Sequence, residues 1–327
     1  MKKHRLSPRH AVAIGSLITA AAAIWFWRVT HDVGAAVFMV CPGVAFTGLL
    51  VLGSDRVLER IQSWIDAKPA RIALIPAGLW LLYDIYSIGM GIAGAEKAIL
   101  MAIYIAVPFL VFSPFRKTAL RLWLEPFVIL WIWLPLEFGI IRRLLMLGRG
   151  GDLHYAFTQI LALDTAIVAF AVWNRTPDIG YRFETDRSVF SAGLKNFLVF
   201  AAIAIPLGIG IDFIGLSFGS SKLAIAPLQF IGIFLFTALP EEFLFRGLIQ
   251  NWIQRVTGWR MASLLIASVI FGASHLNNGP PVPNYRYFLM AAIAGIFYGR
   301  AWQSTGNLMA SSLTHALVDT VWSMLFR

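Results

Sequence analysis

Three segments near the C-terminus set ionisable side chains into otherwise apolar sequence: Pro240-Glu241-Glu242-Phe243-Leu244-Phe245-Arg246, Phe271-Gly272-Ala273-Ser274-His275, and His315-Ala316-Leu317-Val318-Asp319. In a segment that crosses a bilayer such groups are costly and mark a functional site or pathway. Glu242 and Arg246 are four apart, so on a helix they share a face in the favourable acid-first order for an ion pair. Glu241 points about 100° away from Glu242 and has no partner within its own segment, which makes it a candidate base. Pro240 lacks a backbone donor and predicts a helix start or kink at that point, with Glu241 at a break in regular structure. The plainer reading is a Glu-Glu-Arg cap at an interfacial helix end.

His315 and Asp319 also share a helix face. A carboxylate beside a histidine fixes its tautomer and orientation, which serves catalysis or metal binding. His275 follows an aromatic by four positions, and Gly272, Ala273 and Ser274 allow close helix approach; its plain reading is a hydrogen-bonded packing residue. Of six histidines, His4, His10, His31 and His154 fall in tails or connections, whereas His275 and His315 fall in apolar runs after Glu241. Peptide hydrolysis needs a water, a base and fixed donors where negative charge develops, and this set contains the parts. Glu241, His275, His315 and Asp319 could also hold a divalent metal such as zinc through nitrogen and oxygen, although the local His-Glu-x-x-His signature is absent. No cofactor is favoured.

The elements that must position these groups are membrane helices. Of 327 residues 58% are hydrophobic and 13% charged, with a mean hydropathy of +0.73. The apolar residues come in long runs rather than alternating with polar ones. Given about 20 residues per span, runs lie near 11–27, 33–53, 72–94, 98–112, 122–141, 155–173, 197–218, 223–240, 262–276, 287–303 and 307–325. The fold class expected is therefore all-α, a polytopic helical bundle of about 10–11 transmembrane helices.

Most of the 27 Lys and Arg residues, Arg246 and Arg300 among them, fall in alternate connections, which predicts a cytoplasmic N-terminus. Arg142, Arg143 and Arg149 sit on the other face and put the span count between 98 and 173 in question. The basic start around Lys2, Lys3, Arg5 and Arg9 leads into a run ending in Trp25-Phe26-Trp27, read as an uncleaved first span. The net charge of +10 follows from topology and does not call for nucleic acid.

Polar residues over 174–196 suggest a boundary between an N-terminal membrane region, 1–175, of about six spans, and a second region, 190–327, of about five. The interval 54–71 places Val57, Leu58, Ile61, Trp64 and Ile65 at helical spacing, as in an amphipathic interfacial helix. Asp84, Glu125, Glu137 and Asp164 in the first region are dispersed and lack histidine partners, so they are assigned structural roles. Cys41, the only cysteine, is assigned to packing.

Taken together, EEFLFR at 241–246, FGASH at 271–275 and HALVD at 315–319 resemble the CPBP family of intramembrane proteases, which includes CAAX-processing type II endopeptidases and bacteriocin-processing or immunity homologues. The resemblance covers about 190–327. It implies a glutamic-type endopeptidase in which Glu241 activates water, His275 assists, and His315 with Asp319 stabilises the oxyanion. Asp319 stands where some members have Asn, and an ionised Asp donates no hydrogen bond; Asp319 is then expected to orient His315, with His315 as the oxyanion donor. The substrate would be a membrane-associated peptide or protein, cut near the cytoplasmic side of a bacterial inner membrane. Two further readings are a non-catalytic membrane binding or immunity protein retaining the same polar network, and a transporter using Asp84, Glu137, Asp164 and Glu241 as a proton path.

Overall fold

The computed structural model describes residues 4–145, 151–217 and 220–326; Lys2, Lys3 and Arg149, named above, lie outside that range. The described chain is almost wholly helical, with extended backbone confined to pieces of one or two residues. The described chain divides into two compact units, Arg5–Pro177 and residues 178–326, the latter joined by His4.

Among the described residues seven helices are long and apolar enough to cross a membrane: Pro8–Thr30, Val33–Leu52, Pro69–Gly89, Ala95–Phe115, Leu153–Trp173, Arg187–Gly210 and Ala224–Thr257. The protein is a multi-pass membrane protein of all-α class. Four further helices occupy the remaining apolar runs. Arg121–Glu137 and Arg260–Ala273 are short, at 17 and 14 residues. Tyr285–Thr305 and Leu308–Leu325 are long enough but more polar. In the last of these His315, Asp319 and five Ser and Thr side chains lower the hydropathy, so the ionisable groups themselves mask the span.

In the N-terminal unit, Arg116 and Arg175 both pair with Asp66, the former at 2.8 Å. The chain therefore leaves and returns to one end of that unit between 116 and 175, which accommodates an antiparallel pair formed by Arg121–Glu137 and Gly151–Trp173. Arg142 lies between these two helices. The amphipathic segment is the helix Asp55–Ala67, which buries Ile65 and leaves Trp64 exposed.

The C-terminal unit is built around Tyr285–Thr305, packed against Arg260–Ala273, Arg187–Gly210 and Leu308–Leu325. Glycines permit two of the close approaches in this unit. A Cβ at Gly272 would stand 2.7 Å from the Phe288 carbonyl oxygen, and one at Gly193 would stand 2.7 Å from Leu313 Cδ2. Asn307 caps the final helix by accepting from Met309 N–H, while Leu308 N–H donates to the Gly180 carbonyl.

The helical stretch Ala224–Thr257 runs for 34 residues, about 51 Å at helical rise. It corrects the expectation of a helix start or interfacial cap at Pro240, since the acids lie near its middle. A proline ring in an α-helix clashes with the carbonyl four residues back. Here the turn before it, Phe234–Ala238, widens to a π-helix, and Phe243–Gln250 does so after it, so the stretch accommodates Pro240 without ending. Arg246 and Arg300 are therefore helical residues rather than loop charges.

Candidate functional site

Three elements bring ionisable groups to one cavity of about 350 Å³ in the C-terminal unit. Glu241 comes from the long helix, His275 from just beyond the end of Arg260–Ala273, and His315 and Asp319 from the final helix. Glu241 and Asp319 are each about a third exposed, enough to meet solvent or substrate, while His315 is buried.

His275 is fixed by its own helix end. Its Nδ1 lies 2.8 Å from the Phe271 carbonyl oxygen. A carbonyl only accepts, so Nδ1 carries the proton and Nε2 is left with a lone pair. Phe271 and Tyr287 flank the ring at 4.7 and 4.9 Å between centroids.

His315 is held more tightly. Its Nδ1 is 3.0 Å from Glu242 Oε1, and Glu242 Oε2 accepts from Arg246 Nε at 3.0 Å. Glu242 and Arg246 are both fully buried, so the pairing expected from their spacing is present, and it extends to a histidine 73 residues away. Arg246 lies over Phe271 and Tyr298 at 5.2 and 5.9 Å, while its Nη1 and Nη2 find no hydrogen-bond partner among the described residues. Tyr298 stacks on the His315 ring with centroids 4.5 Å apart and 16° between planes.

The other nitrogen of His315 faces two acids: Nε2 is 3.4 Å from Asp319 Oδ2 and 3.8 Å from Glu241 Oε2. Asp319 therefore meets His315 as their spacing predicts, but at Nε2. The carboxylate at Nδ1, where an orienting acid acts, is Glu242. With carboxylates beside both nitrogens, the ring is placed to donate on both sides.

All six residues singled out from the sequence thus belong to one assembly. Glu241, His275, His315 and Asp319 line the cavity, while Glu242 and Arg246 stand behind it. The sequence does not single out Tyr298, Tyr287 or Asn278, which also line the cavity. The available signal is positional: Tyr287 and Tyr298 carry hydroxyls on an apolar helix that already shows small residues at close spacing. As to a metal, no three or more His, Cys, Asp or Glu side chains among the described residues gather in a metal-holding arrangement.

The cavity also has an apolar neighbour. Phe200, Met290, Val318 and Trp322 line both it and a groove that continues along Phe197, Ala204, Ile214 and Phe326.

Neither curated proteins nor solved structures yield a match to the chain. A family model does match, over residues 223–321, and its description is type II CAAX prenyl endopeptidase Rce1-like. That stretch contains all six of the residues just described. Over that stretch, about 30% of the chain, the protein is similar to the CAAX endopeptidases, a family of proteases.

Proposed function

We propose that the protein is an endopeptidase that hydrolyses a peptide bond of a membrane-associated protein or peptide near the cytoplasmic side of a bacterial inner membrane, using water activated by Glu241. The observation that carries this reading is the convergence of Glu241, His275, His315 and Asp319, from three elements, on one cavity. Glu241 takes a proton from water as the oxygen attacks the scissile carbonyl carbon. His275, with its Nε2 lone pair turned free by the Phe271 hydrogen bond, holds that water. The carbonyl oxygen becomes an oxyanion and receives the N–H at His315 Nε2, which lies in a low-dielectric setting where a fixed donor has its largest effect. Glu241 then returns the proton to the leaving amine as the carbon–nitrogen bond breaks, restoring the starting state.

Glu242 and Arg246 act as positioning residues, holding Nδ1 of His315 so that Nε2 faces the reacting atoms. The apolar groove beside the cavity suits a substrate whose scissile bond is flanked by a large apolar group, such as a lipid-modified or aliphatic residue.

The test is cleavage of a membrane-anchored reporter peptide by the purified protein in liposomes. Glu241→Ala and His275→Ala should each lower the rate by about 10²–10⁴-fold while the protein stays folded. Normal cleavage by either variant would sink the proposal. Glu241→Gln separates catalysis from binding, because a non-catalytic immunity protein would keep its biological effect with this nearly isosteric change. Metal content of the active protein together with a chelator control tests the metal-free mechanism: stoichiometric zinc and loss of activity on chelation would overturn it.

A further inference from the structure

A second cavity, of about 410 Å³, lies between Arg187–Gly210 and Tyr285–Thr305, lined by residues apart from those of the active-site cavity save for neighbours in sequence. It runs along one stripe of each helix. Ser188, Ser191, Lys195 and Val199 recur at three- and four-residue steps on the first, and Phe297, Arg300 and Ser304 do so on the second.

Lys195 and Arg300 are exposed, and neither has a carboxylate partner among the described residues; Arg300 rests over the Phe297 ring at 5.9 Å. Asn196 spends one amide N–H on the Ala192 carbonyl and keeps a second, and Ser191 keeps its hydroxyl. The cleft therefore offers two cations and at least two neutral donors. Its polar residues lie toward the end of the bundle where Arg187–Gly210 begins and Tyr285–Thr305 finishes, and Val199 and Phe297 lie deeper along the helices. Arg182 and Arg260, which bond the carbonyls of Gly306 and Gln303, belong to the same end. Cations and hydroxyls at a bundle end, grading into apolar surface toward its middle, match an amphiphile whose charge is negative and whose tail follows the helix.

We infer that this cleft is a binding site for the headgroup of an anionic membrane phospholipid, with the phosphate between Lys195 and Arg300 and an acyl chain along Val199 and Phe297. Basic side chains at an anionic lipid surface each strengthen binding about fivefold, so the pair gives on the order of 25-fold.

Native mass spectrometry of the full-length protein in detergent, titrated with phosphatidylglycerol or phosphatidylcholine, tests this. The expected result is retention of phosphatidylglycerol over phosphatidylcholine, a loss of about fivefold in Lys195→Gln or Arg300→Gln and about 25-fold in the double variant. Arg187→Gln, an exposed cation at the same end but outside the cleft, should leave the preference unchanged. Equal retention of the two lipids, a double variant that binds as wild type, or an equal loss in Arg187→Gln would overturn the site. Displacement of the lipid by millimolar inorganic phosphate would overturn the lipid assignment in favour of a soluble phosphate.

Discussion

Glu125 in the N-terminal unit and Glu242 in the C-terminal unit are both buried carboxylates on apolar helices, and the hydrogen bonds described for them differ in kind. Glu125 Oε1 accepts from Asn174 Nδ2 at 2.9 Å and Thr176 Oγ1 at 3.3 Å, and Glu137 likewise accepts from the Trp133 indole. Glu242 is bound by a guanidinium on one side and an imidazole on the other, and that imidazole opens onto a cavity. Asp164 is a third case: it is buried, and its Oδ1 has no hydrogen-bond partner among the described residues. Neutral partners tie helices together. Under the proposed function, ionic partners that also orient a group facing a cavity serve chemistry, and burial alone does not distinguish the two.

The largest effect expected from this contrast is at Glu242. Glu242→Gln removes the counter-charge of a fully buried Arg246, a change that costs about 3–5 kcal/mol and also loosens His315. Thermal unfolding in detergent or nanodiscs should show the loss together with failure to cleave a reporter. Because removing both charges relieves the unpaired cation, Glu242→Met combined with Arg246→Leu should recover much of the stability but not the activity. If the double variant cleaves normally, Glu242 is a structural acid of the same kind as Glu125, and the comparison collapses.

Asp319 sharpens the contrast within the site. It shares the Nε2 side of His315 with Glu241, whereas Glu242 holds Nδ1. Asp319→Asn keeps an acceptor there and adds a donor, so activity should stay within about tenfold of wild type, equivalent to a barrier change of roughly 1.4 kcal/mol. Complete loss of cleavage in a folded protein would mean that the negative charge of Asp319 itself takes part.

What the sequence makes legible follows from the same physics. Ionisable residues stand out in apolar runs because lipid penalises them, so Glu241, His275, His315 and Asp319 are visible without any structure. Local ion pairing at four-residue spacing is visible for the same reason that Glu242 and Arg246 meet. The bond from Glu242 to His315 is not visible, since it joins residues 73 apart through tertiary packing. Tyr298 is hidden because an aromatic on an apolar helix reads as core, though here it stacks on a site histidine. The uninterrupted helix through Pro240 is hidden by a rule that holds for α-helices and is relieved by the wider turns on either side. The eleven apolar runs all appear as helices, although the shortest and most polar fall outside the seven that pass on length and hydropathy.

For the N-terminal unit the expected effects are smaller. Glu125→Gln keeps the shape of the side chain and one acceptor oxygen. Interhelical hydrogen bonds in membranes average about 0.6 kcal/mol, with an upper value near 1.7 kcal/mol, so the variant should melt only slightly below wild type and cleave the reporter at the wild-type rate. A stability loss as large as that of Glu242→Gln would remove the distinction between neutral and ionic burial.

The smallest effect belongs to the exposed Asp66 cluster, where the guanidiniums of Arg175 and Arg116 hold the carboxyl below the usual carboxylate range through hydrogen bonds, Arg175 contributing most. A carboxyl lowered in the folded state stabilises above its unfolded value of about 4, and that stabilisation fades as pH falls through the lowered folded value. Asp66→Asn should therefore melt slightly below wild type at neutral pH, and the gap between the two should close on acidification. Asp66 and Arg175 are exposed while Arg116 is half-buried, so added salt should narrow the neutral-pH gap as well. A gap that persists unchanged at low pH would show that Asp66 holds the 116 and 175 connections by packing rather than by charge, and the parity of crossings between them would then rest on the backbone alone.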